Sequence, residues 1–411
     1  MTYSEATDWL FGQLPMYQRQ GAAAYKANLN GTFEVLEKLG RPDLQLPHVI
    51  HVAGTNGKGS VCTAIAEALS SQGQRVGLFT SPHLVDYRER MRVNGIMPDK
   101  DWIAHFVGAH QHLFAEQEIQ PSFFEWTFGM ALCWFVESQV DAVVLETGMG
   151  GRLDSTNIFR SPLLTVITNV GLDHQQFLGA DIRSIAREKA GIVKEGVPVV
   201  MGRMRPEAQS VVLAAASRMG SETHYAEVSQ SLNTVLEGPH WPENRATAHK
   251  ALEVLASLPF GKGLSIPPME TLSKASHRGR WQWLNAQACA GRVLVDCAHN
   301  LDGLERTLDA LDGMSFAGWH VVIGAVADKD LTELLSRLRE ESQYYFCAAD
   351  IPRALPAQQL AEAAENFGLK GLAYPSVDQA FKAACETATD EELVLVLGSI
   401  FVVAEVLVNE A

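Results

Sequence analysis

Gly57, Lys58, Gly59 and Ser60 put a cation and a hydroxyl into a turn that is otherwise mostly glycine. They close the run Gly54-Thr55-Asn56-Gly57-Lys58-Gly59-Ser60, which follows apolar Val49, Ile50, Val52 and Ala53. After it, Val61, Ala64, Ile65, Ala68 and Leu69 recur at helical spacing. Strand, glycine turn and helix together are the setting in which a phosphate-binding loop is credible. Glycines let backbone N–H groups converge on an anion, and the helix N-terminus adds its positive dipole end. Lys58 would neutralise the β- and γ-phosphates of a nucleotide, and the Ser60 hydroxyl would meet Mg²⁺. The loop is shorter than G-x-x-x-x-G-K-[ST] and has Gly59 between Lys58 and Ser60. A plain connecting turn is the alternative, but lysine, hydroxyl and flanking elements agree on an anion site.

Other residues could complete such a site. Ser81 follows a short apolar strand at 76–79, on the side where open α/β sheets bind ligands. Glu146 ends the strand 142–145 and runs into Gly148, Gly150 and Gly151, a position for a metal-site acid. His174, after the strand 164–168, reads either as a metal ligand or as a loop histidine. Lys189 lies in an apolar-faced helix, where lysine ordinarily snorkels, unless a metal-ligating Glu and His lie close. Phe124, Phe128, Leu132 and Phe135 form a core stripe, and only the first turn around Ser122 and Phe124 is offered to a flat ligand.

The elements that must carry these residues alternate between strand and helix. Helices are expected at 4–14, 32–39, 207–219 and 247–258, strands at 76–79, 142–145, 164–168 and 198–201, and an edge hairpin around 86–95. After a basic, tryptophan-bearing connector the alternation resumes, with strands at 292–295 and 393–397 and a closing helix. The fold class is α/β: an N-terminal P-loop-type parallel-sheet ATPase domain and a smaller Rossmann-like C-terminal domain. The expected boundaries are 1–276, a linker at 277–290, and 291–411.

Composition narrows the partners. With 47% hydrophobic residues, 20% charged residues and a net charge of −15, the chain is globular, and no basic surface invites nucleic acid or anionic membrane. Any phosphate must be held by local donors. Six scattered cysteines (62, 133, 289, 297, 347 and 385) lack metal or CxxC spacing, which suggests a reducing compartment. The acidic N-terminus carries no secretory pattern, so a cytoplasmic location is expected; separately, a monomer is expected.

GTNGKGS, TSPHL, FFEWTF, LETGMGGRLDSTN, LDH, REKAGI, GRW, DCAHN and LVLGS occur in an order that resembles the folylpolyglutamate synthase/dihydrofolate synthase family, within the Mur ligase superfamily. The resemblance spans nearly the whole chain, is weakest at 203–276, and favours the folate branch through GGRLDSTN, LDH and REKAGI. It implies an ATP-dependent amide ligase that joins L-glutamate to dihydropteroate and to reduced folates through an acyl phosphate. The implied cofactors are ATP and Mg²⁺, with a monovalent cation alongside. Gly57, Lys58, Gly59, Ser60, Asn244, Arg280 and Asp296 match ATP-contacting positions, and Ser60, Ser81, Glu146 and His174 match magnesium ligands. Lys189 matches a lysine that is carbamylated in the family, and with Lys58, His174 and Arg280 it makes up the catalytic set. Ala24, Tyr25, Lys26, Ala27, Ser122, Phe124, Leu153, Asp154 and Ser155 fall on the substrate side, and His299, Asn300 and Ser399 on the glutamate side. Arg278 and Leu301 stand where the family has prolines, which alters local turn shape. A Mur-type or cyanophycin-like ligase, or a non-ligating nucleotide switch, would carry a similar loop.

Overall fold

A computed structural model describes residues 1–14, 28–114, 121–228, 238–272, 278–327 and 331–409. The chain falls into two compact units, Met1–Leu232 with His240–Ala275, and Asn233–Pro239 with Ser276–Ala411.

Among the described residues the first unit is built on seven strands: β1 (Val49–Ala53), β2 (Val76–Phe79), β3 (Met91–Val93), β4 (Ala142–Glu146), β5 (Leu164–Ile167), β6 (Val199–Met201) and β7 (Thr223–Tyr225). Their order is β3-β2-β4-β1-β5-β6-β7, parallel throughout except for β3, which pairs antiparallel with β2 at one edge. β1 lies between β4 and β5 with every residue buried, as expected for a central strand covered on both faces. In register, Val52 pairs with Glu146 and Ala53 with Ile167. The loops after β1, β2, β4 and β5 therefore open at one edge of the sheet, where α/β folds assemble their sites.

Helices fix these loops. Lys58–Ser70 buries Val61, Ile65 and Leu69 on the sheet and packs against the helix Trp241–Ser257 through Ala248, Ala251 and Leu255. Phe123–Glu137 starts at a reciprocal capping box: Ser122 Oγ accepts from the Glu125 N–H, and the Glu125 carboxylate accepts from the Ser122 N–H. In Ile182–Ala190, Ile182, Ile185, Ala186 and Lys189 share the buried stripe at i, i+3, i+4 and i+7, so Lys189 faces inward and is 3% exposed. A snorkelling lysine would lie on the opposite face.

Among the described residues the second unit has six strands: β8 (Gln282–Leu284), β9 (Arg292–Val295), β10 (Trp319–Ile323), β11 (Gln343–Phe346), β12 (Lys370–Ala373) and β13 (Leu393–Leu397). Their order is β12-β11-β10-β13-β9-β8, parallel except for β8 against β9. β8 lies inside the stretch expected as a linker and is an edge strand of this sheet. Both sheets are parallel-rich with helices between strands, the α/β class expected. Among the described residues, no helix is long and apolar enough to cross a membrane.

Candidate active site

The phosphate-type loop is held open by its neighbours. Thr55 Oγ1 donates to the Gly171 carbonyl (3.1 Å) and accepts from the Gly171 N–H (2.9 Å), while Asn169 Oδ1 accepts from the Asn56 N–H (2.8 Å). Thr168 Oγ1 donates to the Asn56 carbonyl at 2.6 Å, and a Cβ on Gly54 would meet that hydroxyl at 1.9 Å. The segment after β5 therefore splints the loop after β1. Gly57 caps the helix without a side chain, and the first helical bond runs from the Val61 N–H to the Gly57 carbonyl. The N–H groups of Lys58, Gly59 and Ser60 in the first turn thus have no carbonyl of their own helix, the arrangement in which a helix N-terminus can receive an anion.

Gly57 is left-handed (φ 80°), and Asn244 Oδ1 would lie 2.1 Å from a Cβ there. Asn244, at the start of Trp241–Ser257, is thereby placed on the loop. Gly57→Ala is expected to weaken nucleotide binding about tenfold or more, because the backbone must strain and the amide must move. Calorimetric titration with AMPPNP checks this.

Two lysines converge on one carbonyl. Lys58 Nζ donates to the Gly54 carbonyl (3.1 Å) and to the Thr55 carbonyl (3.1 Å), and Lys189 Nζ donates to the same Gly54 carbonyl at 2.7 Å. Burial first, and then the Lys58 charge, bring Lys189 down to about 7, against the opposing pull of Asp173 and Asp154. Near neutral pH its amine is poised between charged and neutral.

At the ends of β2 and β4 the Ser81 N–H donates to Glu146 Oε2 (3.1 Å), and Glu146 is buried. His174 is left-handed (φ 49°) before the short helix Gln175–Leu178, its Nε2 3.8 Å from Asp173 Oδ2. Among the described residues, no group of three or more His, Cys, Asp or Glu side chains could hold a metal alone. Of the predicted metal residues the structure brings Ser81 and Glu146 together. Hydroxyl, carboxylate and imidazole groups such as those of Ser60, Ser81, Glu146 and His174 are donor types that would suit a hard divalent cation completed by other oxygen ligands.

Gly148 separates two predicted substrate residues. A Cβ there would meet the Phe124 ring at 2.7 Å and Asp154 Oδ2 at 3.3 Å. Asp154 is 7% exposed, and its Oδ2 accepts from the Met149 N–H at 2.8 Å. Burial raises its pKa against the hydrogen bonds that it accepts. Ser155 is buried beside it and Leu153 half-buried, whereas the Ser122 hydroxyl is engaged as a helix cap. Ala24, Tyr25, Lys26 and Ala27 lie outside the described residues.

A tight seam links this turn to Lys189. Cβ atoms on Gly151 and Gly191 would strike the Glu188 carbonyl (2.7 Å) and the Arg152 Cβ (2.4 Å). Arg152 pairs with Glu188 at 2.9 Å, and Asn157 Nδ2 donates to the Arg152 and Gly191 carbonyls, both at 3.0 Å. Asn157→Asp would aim a buried carboxylate at two carbonyls. It is expected to cost about 3 kcal/mol of stability, read as a lower urea midpoint.

In the second unit the residues after β9 form their own cluster. Asp296, buried, accepts from the Trp281 and Ala298 N–H groups, both at 2.7 Å, so it ties the Arg280 turn to the DCAHN turn. Arg280 Nη1 donates to the Cys297 carbonyl at 3.4 Å. His299 Nδ1 lies 2.9 Å from the Cys297 carbonyl, so that nitrogen carries the proton. Asn300 Oδ1 caps Leu301–Asp312 through the Gly303 N–H (2.9 Å), and Ser399 Oγ accepts from the Phe401 N–H (3.0 Å).

Sequence reading missed Thr168, Asn169 and Gly171, which build the loop's splint. Their signal was present in TNVG directly after an apolar strand, but only the sheet order reveals that this strand neighbours β1.

The chain matches the family described as Mur ligase middle domain over residues 52–218 and that described as Mur ligase, glutamate ligase domain, over 279–400. It is 32% identical to a dihydrofolate synthase/folylpolyglutamate synthase of Bacillus subtilis, covering 98% of each chain. A structure of E. coli FolC in complex with DHPP and ADP superimposes with a TM-score of 0.82 at 31% identity, covering 100% of this chain and 97% of that one. A structure of a bifunctional folylpolyglutamate synthase/dihydrofolate synthase with Mn, AMPPNP and L-glutamate bound gives a TM-score of 0.81 at 29% identity, covering 100% and 98%. With its two Mur-type domains and this shared length, the chain belongs to the dihydrofolate synthase/folylpolyglutamate synthase family of ATP-dependent ligases.

Proposed function

We propose that this chain joins L-glutamate to dihydropteroate and, in further rounds, to reduced folates, converting ATP to ADP and phosphate. The observation that carries the reading is the convergence of Lys58 and Lys189 on the Gly54 carbonyl, beside first-turn N–H groups that can receive an anion. DHPP, ADP, AMPPNP, Mn and L-glutamate in relatives' structures support the same substrate and metal classes. We take the chain to act as a cytoplasmic monomer.

A carboxylate is a poor electrophile, so its oxygen must first become part of a leaving group. A substrate carboxylate oxygen attacks the γ-phosphorus, the bond from phosphorus to the ADP oxygen breaks, and an acyl phosphate forms. The glutamate amine then attacks the acyl carbon, loses a proton, and phosphate departs with the C–O bond electrons. Lys58 and the first-turn N–H groups stabilise the phosphoryl charge, and Asn244 orients the loop. Ser60, Ser81, Glu146 and His174 would hold Mg²⁺, which when bound neutralises charge on the phosphate oxygens. A monovalent cation is a further expected ligand. Phe124, Leu153, Asp154 and Ser155 contact the pterin side of the substrate, with Ser122 close by in sequence. On the second unit, which we assign to glutamate ligation, Arg280 and Asp296 serve the nucleotide and His299, Asn300 and Ser399 the glutamate.

Lys189 is proposed to be carbamylated. Its neutral amine attacks CO₂, a proton is released, and the resulting anion relieves the repulsion from Lys58. The lowered pKa supports this, because only the unprotonated amine reacts.

The test is ADP release. It should require both dihydropteroate and glutamate, and recur with tetrahydrofolate and glutamate. ADP release indifferent to either partner would contradict the reading.

A further inference from the structure

We infer that His51 is a positioning residue for the pterin-binding carboxylate, acting on Asp154 through the Thr156 hydroxyl. His51 lies in the middle of β1, paired with Leu145 and Thr165, and is 1% exposed. An imidazole in the central strand is costly unless its polar atoms are bonded. Its Nε2 lies 2.8 Å from Thr156 Oγ1, and Thr156 Oγ1 lies 2.5 Å from Asp154 Oδ1. Thr156 is fully buried, and its N–H also donates to Asp154 Oδ1, at 3.0 Å.

Chemistry fixes the direction of this chain of hydrogen bonds. Asp154 Oδ1 accepts from the Thr156 N–H and Oδ2 from the Met149 N–H, bonds that favour the ionised carboxylate against its burial. As an ionised carboxylate it only accepts, so the single hydroxyl proton of Thr156 goes to it. The hydroxyl oxygen then accepts, and His51 must present Nε2–H. Burial, reinforced by Lys194, lowers His51 to about 3, so the ring is neutral and one tautomer suffices. Without His51 the Thr156 hydroxyl still donates to Asp154, but its oxygen loses its bond to β1 and the pair is no longer tethered to that strand. With it, both carboxylate oxygens are pinned: Oδ1 through Thr156 to β1, and Oδ2 by the Met149 N–H. β1 opens into the phosphate-type loop at Gly54, three residues beyond His51. The Asp154 carboxylate is thereby referenced to the strand that carries the nucleotide loop, and not only to its own turn.

The inference rests on Asp154 as a dihydropteroate contact, and the experiment separates the two. Steady-state KM values for dihydropteroate, ATP and glutamate are measured for His51→Phe, Thr156→Val, their double variant, and the conservative His51→Gln and Thr156→Ser. Each of the first two should raise the dihydropteroate KM about tenfold and leave the ATP KM within about twofold. Thr156→Ser and His51→Gln, which retain a hydroxyl and an N–H donor, should recover most of the loss. Acting in series, the double variant should cost no more than Thr156→Val alone. Three results would overturn the inference: an unchanged dihydropteroate KM, a parallel rise in all three KM values, or additive single effects. If Thr156→Val and His51→Phe fail to fold by circular dichroism, the conservative pair decides: a dihydropteroate KM raised about tenfold in both would overturn it. An Asp154→Ala variant with unchanged dihydropteroate KM would overturn the substrate assignment itself. A raised KM there beside a normal Thr156→Val would overturn the relay alone.

Discussion

Lys58→Ala is expected to lower kcat about a hundred- to a thousandfold while the circular dichroism spectrum stays unchanged. The side chain is half-buried, and its bonds go to the Gly54 and Thr55 carbonyls of its own loop. Alanine is a better helix former in the first turn of Lys58–Ser70, so the element survives. What is lost is a cation beside the transferring phosphoryl group, where one misplaced or missing donor costs about 10²–10³-fold. Activity within about tenfold of the parent would remove Lys58 from the chemistry.

Lys189 carries the second large effect, and its sign with pH can be worked out. The amine titrates at about 7 in the folded chain and near its ordinary 10.5 when unfolded. Between those values the unfolded state holds the extra proton, so stability rises with pH, and below 7 the full penalty of burying the charge is present. The urea midpoint should therefore climb from about pH 6 to pH 9 in the parent and much less in Lys189→Met. Carbamylation adds a spectroscopic signature. With ¹³CO₂ near pH 8, a carbamate carbon resonance should appear that Lys189→Ala lacks, and it should fade toward pH 6. Activity should follow the same limb, and Lys189→Ala should lose about a hundredfold. A missing resonance together with indifference to CO₂ would leave Lys189 as a structural amine.

Much of the site was legible because its chemistry is local. Gly57 to Ser60 lie on a strand–turn–helix whose periodicity is plain, and Glu146 ends an apolar run that is indeed β4. Phe124 and Asp154, thirty positions apart, meet across Gly148, and the first-turn reading of the aromatic helix had already singled out Phe124. What stayed hidden depends on sheet order. His51 reads as one polar interruption in an apolar run, and only the packing of Thr156 on β1 gives it a partner. The three-residue edge strands β7 and β8 carry half-exposed residues without a hydrophobic alternation long enough to register. Resemblance puts Asn300 and Ser399 on the glutamate side, while the structure shows their side chains engaged in local turn and helix-cap bonds.

The central claim is that the loop at Gly54–Ser60 lets a carboxylate take the γ-phosphoryl group of ATP. Dihydropteroate labelled with ¹⁸O in its carboxylate, turned over with ATP and glutamate, tests it most directly. One labelled oxygen should appear in the released phosphate, because the acyl C–O bond breaks when the amine attacks. Phosphate released without label, at normal rates of amide formation, would contradict it.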